Sequence, residues 1–328
     1  MTVPGGPVPA LSCYSTTLVA ALRGRVPDPA LRLALAVRLR VLDGRPDGVL
    51  AFSHHDRIDA GPGGRRLSHR SAASWPAAAA GLAAALERGG PVIAVGNTAT
   101  MPWAPSSGGA GVPHWLLIDA HRDGHWHVRD SFEALLPHGE HRPYAGRLDD
   151  AALRAVLTPC GPLPVEVGLR DRYALGAPVP APAATHYRWL VWEAPGLLPV
   201  RIGGRAPVPP PARDDGGGRP GVLEGTAPVL SRLARRLGED PAALARHADD
   251  LWAAARHHQH RLGVLAGAGL LPAAPAARAA DAWGELPRAL RFALASAERG
   301  RPRPALVARA CEAVIDAMSH LTPEETPR

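Results

Sequence analysis

The sequence predicts an α+β N-terminal part followed by an all-helical C-terminal part. Up to about residue 200, helix start signals alternate with short runs of β-branched residues. A Pro/Gly-rich segment follows, and beyond it the pattern is helical almost to the end. With 328 residues, of which 46% are hydrophobic, the chain is long enough for two domains. We therefore expect a catalytic domain at 1–200, a linker at 201–221 and a helical domain at 222–328.

Helix starts are marked by capping residues and by proline at the first helical position. "DPALRLALAVRLR" from Asp28 and "DPAALARHADDLWAAARHHQHRLGVL" from Asp240 both predict helices on this basis. "SAASWPAAAAGLAAALERGG" predicts a helix that ends at its glycines, and "YSTTLVAALRG" predicts one beginning near Cys13. Two more helices are expected at 273–299 and 304–320.

Strands are predicted mainly in the middle of the chain. "PVIAVGN" (91–97) is short, apolar and rich in β-branched residues, which favours a buried strand. "HWLLIDAH" and "HWHVRDSF" flank the turn signal "RDG", so 114–132 is expected to form a β-hairpin. "HYRWLVWEA" (186–194) predicts a further strand, and the Pro-rich segment 175–186 before it predicts irregular structure.

The charge is basic, with a net charge of +7 and an isoelectric point near 10.2. All 37 basic residues are Arg, which resembles the coding bias of a GC-rich bacterium. The arginines are scattered, no DNA-binding motif accompanies them and aromatic residues are only 5%, so we expect no nucleic-acid partner. Neither a signal peptide nor an apolar run of about 18 residues is visible, so we expect a cytoplasmic protein without a membrane partner.

The three cysteines are an odd number without a short spacing, which argues against a disulfide scaffold or a cysteine-based zinc site. Cys13 precedes an apolar helix, where the positive end of the helix dipole favours a nucleophilic thiolate. The alternative is a buried structural thiol, since free cysteines are among the most buried residues. We interpret Cys160 and Cys311 as structural thiols.

His114 and Asp130 are sixteen positions apart at the two open ends of the predicted hairpin. A tight turn would bring them together, so that Asp130 orients the imidazole and His114 takes the proton of Cys13. The alternatives are a structural histidine and an aspartate that caps the turn before "SFEALLP".

Two further residues are tentative contacts to an oxyanion or a substrate. Asn97 ends the strand "PVIAVGN" and is otherwise a turn residue; Trp115 follows His114 and is expected to pack beside it or line the cleft. Close histidine pairs occur in "HHDRID" (54–59), "HWH" (125–127) and "HHQH" (257–260). No third ligand is identifiable for them, so we expect exposed polar positions and no metal.

The chain resembles the butirosin biosynthesis protein H family, which has a papain-like cysteine-peptidase fold and acts as an acyltransferase. The resemblance is carried by "LSCYSTTLVAAL", "PVIAVGNTATMPWAP", "PHWLLIDAHRDGHWHVRDSF" and the helical C-terminal part. It implies Cys13 as nucleophile, His114 as general base and Asp130 as orienting acid. Papain-like peptidases usually carry an oxyanion-hole Gln shortly before the cysteine, and "GGPVPALS" has none. We therefore expect other donors, such as the Cys13 backbone N–H.

The resemblance also implies a reaction. An acyl or aminoacyl group would move from the phosphopantetheine arm of an acyl carrier protein, through acyl-Cys13, to a small-molecule amine in bacterial natural-product biosynthesis, without a cofactor. A hydrolase (peptidase or thioesterase), a cyclase and a non-catalytic binding protein of the same fold are the alternatives. The helical domain is expected to shape the acceptor pocket, dock the carrier or form a homodimer.

Overall fold

The computed structural model describes residues 11–105, 111–136, 139–194 and 221–321. They form an α+β protein with antiparallel sheets and a helical C-terminal region, which confirms the predicted class. The predicted linker falls outside the described residues except for Gly221, which begins a strand. The division into two domains stays a prediction.

The helices agree with most of the predicted start and stop signals. Across the described ranges, no helix is both long and apolar enough to cross a membrane. The α-helices are α1 Cys13–Leu22, α2 Pro29–Ala36, α3 Trp75–Gly89, α4 Asp150–Val156, α5 Val165–Tyr173, α6 Thr226–Glu239, α7 Pro241–Gly267, α8 Ala273–Glu298 and α9 Pro304–Ser319.

The strands form three antiparallel sheets. The largest has the order β3-β10-β4-β5-β6-β9, a second has the order β11-β1-β2, and β7 pairs with β8. The bounds are β1 Val37–Asp43, β2 Ala51–His55, β3 Arg66–Ala72, β4 Val92–Asn97, β5 Pro113–Arg122, β6 His125–Asp130, β7 Ala134–Leu136, β8 Gly139–His141, β9 Tyr144–Leu148, β10 Tyr187–Glu193 and β11 Gly221–Glu224.

The predicted hairpin is confirmed as β5 and β6. Arg122 pairs with His125, and the two turn residues Asp123 and Gly124 have φ values of 52° and 71°. Two consecutive positive φ values are typical of the type I′ turn, whose twist matches that of a hairpin. The turn therefore returns the chain so that Asp130, at the end of β6, lies beside the start of β5.

The helix predicted from Asp28 is shorter than expected. It ends at Ala36, and the chain continues directly into β1, which was predicted as helix. Val37, Leu39 and Val41 are buried and alternate with less buried residues. The period of two in "VRLRV" is that of a strand, and it prevails over the helical start.

The C-terminal helices pack directly on this missed strand and its partner. Leu39, Val41, Leu50 and Phe52 of the β1–β2 region share one hydrophobic core with α6 to α9. Strand β11 also pairs with β1, immediately before α6 begins. The helical region is therefore joined to the N-terminal part by a common core and a common sheet.

Candidate active site

Helix α1 begins at Cys13, which is half-buried. The side chain of the N-cap residue Ser12 accepts the backbone N–H of Ser15 at 3.4 Å. Thr17 donates its hydroxyl to the carbonyl of Trp115 on β5 at 2.9 Å, and the Tyr14 and Trp115 rings meet edge to face at 5.0 Å. These contacts fix the start of α1 against β5.

Asp130 is the centre of a buried hydrogen-bond network. Its Oδ2 accepts hydrogen bonds from the Nε2 of His114 and the Nε2 of His141, both at 2.8 Å. It also accepts a hydrogen bond from the indole N–H of Trp103 at 2.9 Å. Its Oδ1 accepts the backbone N–H of Phe132 at 2.9 Å. Because a carboxylate only accepts, each of these ring nitrogens carries a proton in this arrangement.

Two neighbours, Asp130 and Cys13, favour the charged form of His114. Its Nε2 is hydrogen-bonded to Asp130 at 2.8 Å, and Cys13 is close enough to the imidazole to affect its pKa. Burial alone disfavours the imidazolium, but the charge of Cys13 and the hydrogen bonds with Asp130 and Cys13 outweigh it and raise the pKa of His114 to about 10. Burial opposes ionisation of Asp130, yet the hydrogen bonds from His114 and His141 hold its pKa well below the ordinary range.

His114, Asp130 and His141 also have the composition of a metal site. One ligand atom from each lies within 4.8 Å of the others, and all three residues are buried. A metal ligand must offer a lone pair, whereas both Nε2 atoms are within hydrogen-bond distance of one carboxylate oxygen that also accepts the Trp103 N–H. The geometry therefore favours a hydrogen-bond network, and the prediction of no metal stays a prediction.

Cys13 opens onto a cavity of about 320 Å³. One side consists of the start of α1, the end of β2, the start of β5 and α5, and the other consists of α7 and α8. From the C-terminal region, the lining residues are Ala245, Ala248, Asp249, Asp250, Trp252, Ala253, His257, Pro287, Arg291 and Leu294. The helical region thus encloses the space next to Cys13.

Two buried contacts join the two sides of the cavity. The Nε and Nη2 of Arg170 on α5 donate to Asp250 on α7 at 2.7 and 3.1 Å. His257 on α7 donates its Nδ1–H to the carbonyl of Ala253 at 2.7 Å, so its Nε2 accepts the hydroxyl of Ser15 on α1 at 2.6 Å. The second contact lies two residues from Cys13 and ties α7 to the helix that carries the candidate nucleophile.

The expectation that the paired histidines are exposed is wrong for two of the three pairs. His55, His257 and His260 are buried and His54 is half-buried. The rings of His54 and His257 stack at 5.1 Å across the boundary between β2 and α7. An imidazole without a charge packs like an aromatic ring, and the sequence pattern alone does not distinguish that use from a surface position.

The two tentative contact residues lie outside the lining of the cavity. Asn97 is buried at the end of β4, and its side-chain oxygen accepts the N–H of Ala99 at 3.0 Å, as in an Asx turn. A Cβ atom at Gly111 would lie 1.6 Å from that oxygen, so the loop covers Asn97 closely. Trp115 is fully buried and packs under α1. Their roles in an oxyanion hole or substrate contact stay predictions.

Cys160 and Cys311 differ from Cys13 in their surroundings. Burial raises the pKa of Cys160 to about 11 and that of Cys311 to about 12, so both remain thiols near neutral pH. Neither takes part in the network around Asp130. The interpretation of both as structural thiols stays a prediction.

Sequence reasoning missed His141, Trp103 and the C-terminal side of the cavity. His141 approaches Asp130 because β9 pairs with β6, with Tyr144 opposite Asp130, and β8 ends three residues earlier. Trp103 lies in the quoted motif "PVIAVGNTATMPWAP", and its ring stacks on Tyr144 at 4.0 Å. No spacing along the chain predicts either contact, because both depend on the order of the strands in the sheet.

No protein-family model matches this chain, and no curated protein matches its sequence.

Proposed function

We propose that this protein is a cysteine-dependent acyltransferase with a papain-like arrangement of Cys13, His114 and Asp130. The single observation that supports it is the position of His114, which is hydrogen-bonded through Nε2 to Asp130 at 2.8 Å and lies close enough to Cys13 for that residue to raise the pKa of the imidazole. A nucleophile, a base and an orienting group in hydrogen-bond contact are the parts that covalent acyl transfer needs.

In the first step, the Cys13 sulfur attacks the carbonyl carbon of an acyl thioester. The carbon forms a bond to Cys13, its bond to the donor sulfur breaks, and the donor thiolate takes the proton that His114 holds. The first backbone N–H groups of α1 have no partner within the helix, and in this proposal one of them donates to the carbonyl oxygen as it becomes negatively charged. The Cys13 N–H is among them.

In the second step, an amine attacks the acyl-Cys13 carbonyl. His114 has lost its proton to the donor thiol and now accepts one from the amine, and the Cys13 sulfur departs. Exchange between thioesters is nearly balanced in free energy, so no cofactor is needed for the first step. The formation of the amide drives the second.

The donor in this proposal is a phosphopantetheine-linked acyl carrier protein and the acceptor is a small-molecule amine, in a cytoplasmic pathway of bacterial natural-product synthesis. The basic net charge of +7 suits an acidic carrier surface. The helical region lines the cavity beside Cys13, which supports a role in shaping the substrate pocket. Carrier docking and homodimer formation are the other roles we propose for it.

Intact-protein mass spectrometry after mixing with an acetyl thioester tests the proposal. We expect one acetyl increment on the wild type, none on Cys13→Ala and an unchanged increment on the matched control Cys160→Ala. Labelling that persists in Cys13→Ala would sink the assignment. Addition of an amine should then remove the increment and release an amide; release of free acid in the presence of the amine would favour the hydrolase alternative.

The metal alternative has its own measurement. A functional metal at His114, Asp130 and His141 would appear as about one equivalent of bound metal per chain and would vanish in His141→Ala. We expect no stoichiometric metal, and we expect chelators to leave acyl loading unchanged.

A further inference from the structure

The cavity beside Cys13 is predominantly apolar on the side formed by the C-terminal helices. Ala248 and Trp252 of α7 and Leu294 of α8 line it together with Phe52 of β2 and Val167 of α5. A volume of about 320 Å³ is at the small end of the range for ligand pockets.

Among the described residues, Arg170 and Asp250 form the buried ion pair of the lining, and both charges already have partners. Two nitrogens of Arg170 donate to the two carboxylate oxygens of Asp250, and Nη2 also donates to the carbonyl of Arg246 at 2.9 Å. Asp250 further accepts from His247 at 3.0 Å. A ligand that recruited either charge would have to break a buried bidentate pair, which is costly.

The histidines of the lining are neutral near physiological pH. Burial lowers the pKa of His54 to about 4, and burial also lowers the pKa of His55 and of His257. Both ring nitrogens of His257 are occupied, one by the Ala253 carbonyl and the other by the Ser15 hydroxyl. The Nδ1 of His54 is buried without a hydrogen-bond partner, so these imidazoles offer apolar ring surface and one neutral polar atom, but no positive charge, to a substrate.

The remaining charges of the lining lie at its solvent-exposed edge. The Asp249 side chain is 81% exposed, and Arg291 is exposed on α8. Charged groups of a ligand can be accommodated there in water, but an ionised group inside the cavity would be desolvated without a partner.

We propose that the acyl group received by Cys13 is an uncharged, predominantly apolar chain that lies in this cavity against α7 and α8. The inference rests on the proposed function and specifies its substrate class. The thioester carbonyl is at Cys13, and the tail extends among the side chains of Trp252, Ala248 and Leu294. The chemistry is the balanced exchange described above, in which the donor thiol leaves with the proton of His114.

A pair of donors with the same shape and different charge tests the inference. The heptanoyl thioester of N-acetylcysteamine ends in a methyl group, and the aminohexanoyl thioester carries an ammonium group at the same place. We expect loading of Cys13, followed by intact-protein mass spectrometry without an acceptor, to be at least about 100-fold slower for the charged donor. Comparable rates would overturn the inference.

Two substitutions in the cavity test whether the acyl chain lies there. Ala248→Leu places extra methyl groups in the cavity and should reduce the ratio of heptanoyl to acetyl loading by about tenfold. Ala242→Leu makes the same change at an exposed position of α7 outside the lining and should leave the ratio unchanged. Leu294→Ala enlarges the cavity and should shift the preference toward a decanoyl chain. Unchanged ratios in both cavity variants would contradict the inference.

The acetyl donor separates the two proposals. If the acetyl donor loads Cys13 and the heptanoyl donor loads it no faster than the aminohexanoyl donor, the assignment of the nucleophile stands. The proposal of an apolar acyl chain is then wrong. If no thioester, acetyl included, loads Cys13, the proposed function fails and the substrate class fails with it.

Discussion

The histidine beside Asp130 and the histidines of the cavity lining carry opposite charge preferences. His114 beside Asp130 and Cys13 has a raised pKa, whereas His54 and His257 in the cavity lining have lowered ones. Burial acts in the same direction on all three, against the imidazolium. The difference comes from the neighbours: Asp130 and Cys13 favour the charged form of His114, while the cavity histidines stack on one another and bond to neutral groups.

Histidine therefore has two different roles in this protein. At Asp130, an imidazole is kept charged and hydrogen-bonded, which suits proton transfer. In the cavity, imidazoles are kept neutral and form part of an apolar surface next to the reacting centre. Three substitutions test this difference between the two groups of histidines.

Asp130→Ala should have the largest effect, because it removes the acceptor of four buried donors at once. We expect the free energy of unfolding to fall by about 3–5 kcal/mol, since a buried charge partner is lost and its donors remain. Urea denaturation measures this. Asp119→Ala, which removes a half-exposed pair with Arg129, serves as the control and should cost about 0–1 kcal/mol. A loss at Asp130 no greater than the control would contradict the network.

His54→Phe should make the free energy of unfolding less dependent on acid pH. The pKa of His54 is lowered from 6.5 to about 4, mainly by burial, so the unfolded chain binds its proton first as the pH falls. The stability associated with neutral His54 is therefore present above pH 6.5 and lost as the pH falls through about 4.

We expect the wild type to lose roughly 2–3 kcal/mol more than His54→Phe over that interval, in denaturation curves measured from pH 7 to pH 4. His125→Ala removes an exposed histidine far from the cavity lining and should leave the acid sensitivity in place. Parallel curves for the wild type and His54→Phe would refute the neutral state of the cavity histidine.

Cys13→Ala should lower the pKa of His114, because both the charge of Cys13 and its hydrogen bond raise it. We expect a fall of about one unit or more, equivalent to about 1.4 kcal/mol per unit. Titration of the imidazole proton signals by NMR measures it, with Cys160→Ala as the control. The same change should reduce the stability that the His114 charge contributes below pH 6.5 and that is lost as the pH rises through about 10. An unchanged titration would show that Cys13 does not act on His114.

Local signals in the sequence predicted the helix starts, the hairpin and the proximity of His114 to Asp130. Asp and Pro at a helix start and the Asp-Gly pair at positions 123 and 124 act over a few residues, so they are readable without the fold. Strand β1 was missed because the helix signal at Asp28 precedes an alternating segment whose burial depends on the C-terminal helices.

The start of α1 at Cys13 and the hairpin that carries His114 and Asp130 follow from short-range sequence signals. The tertiary structure alone decided which groups surround them. His141 and Trp103 reach Asp130 through the pairing of β9 with β6, and His257 reaches Ser15 through the packing of α7 on α1. These contacts join residues far apart in sequence, and their charges and burial arise only when the sheets and helices are assembled.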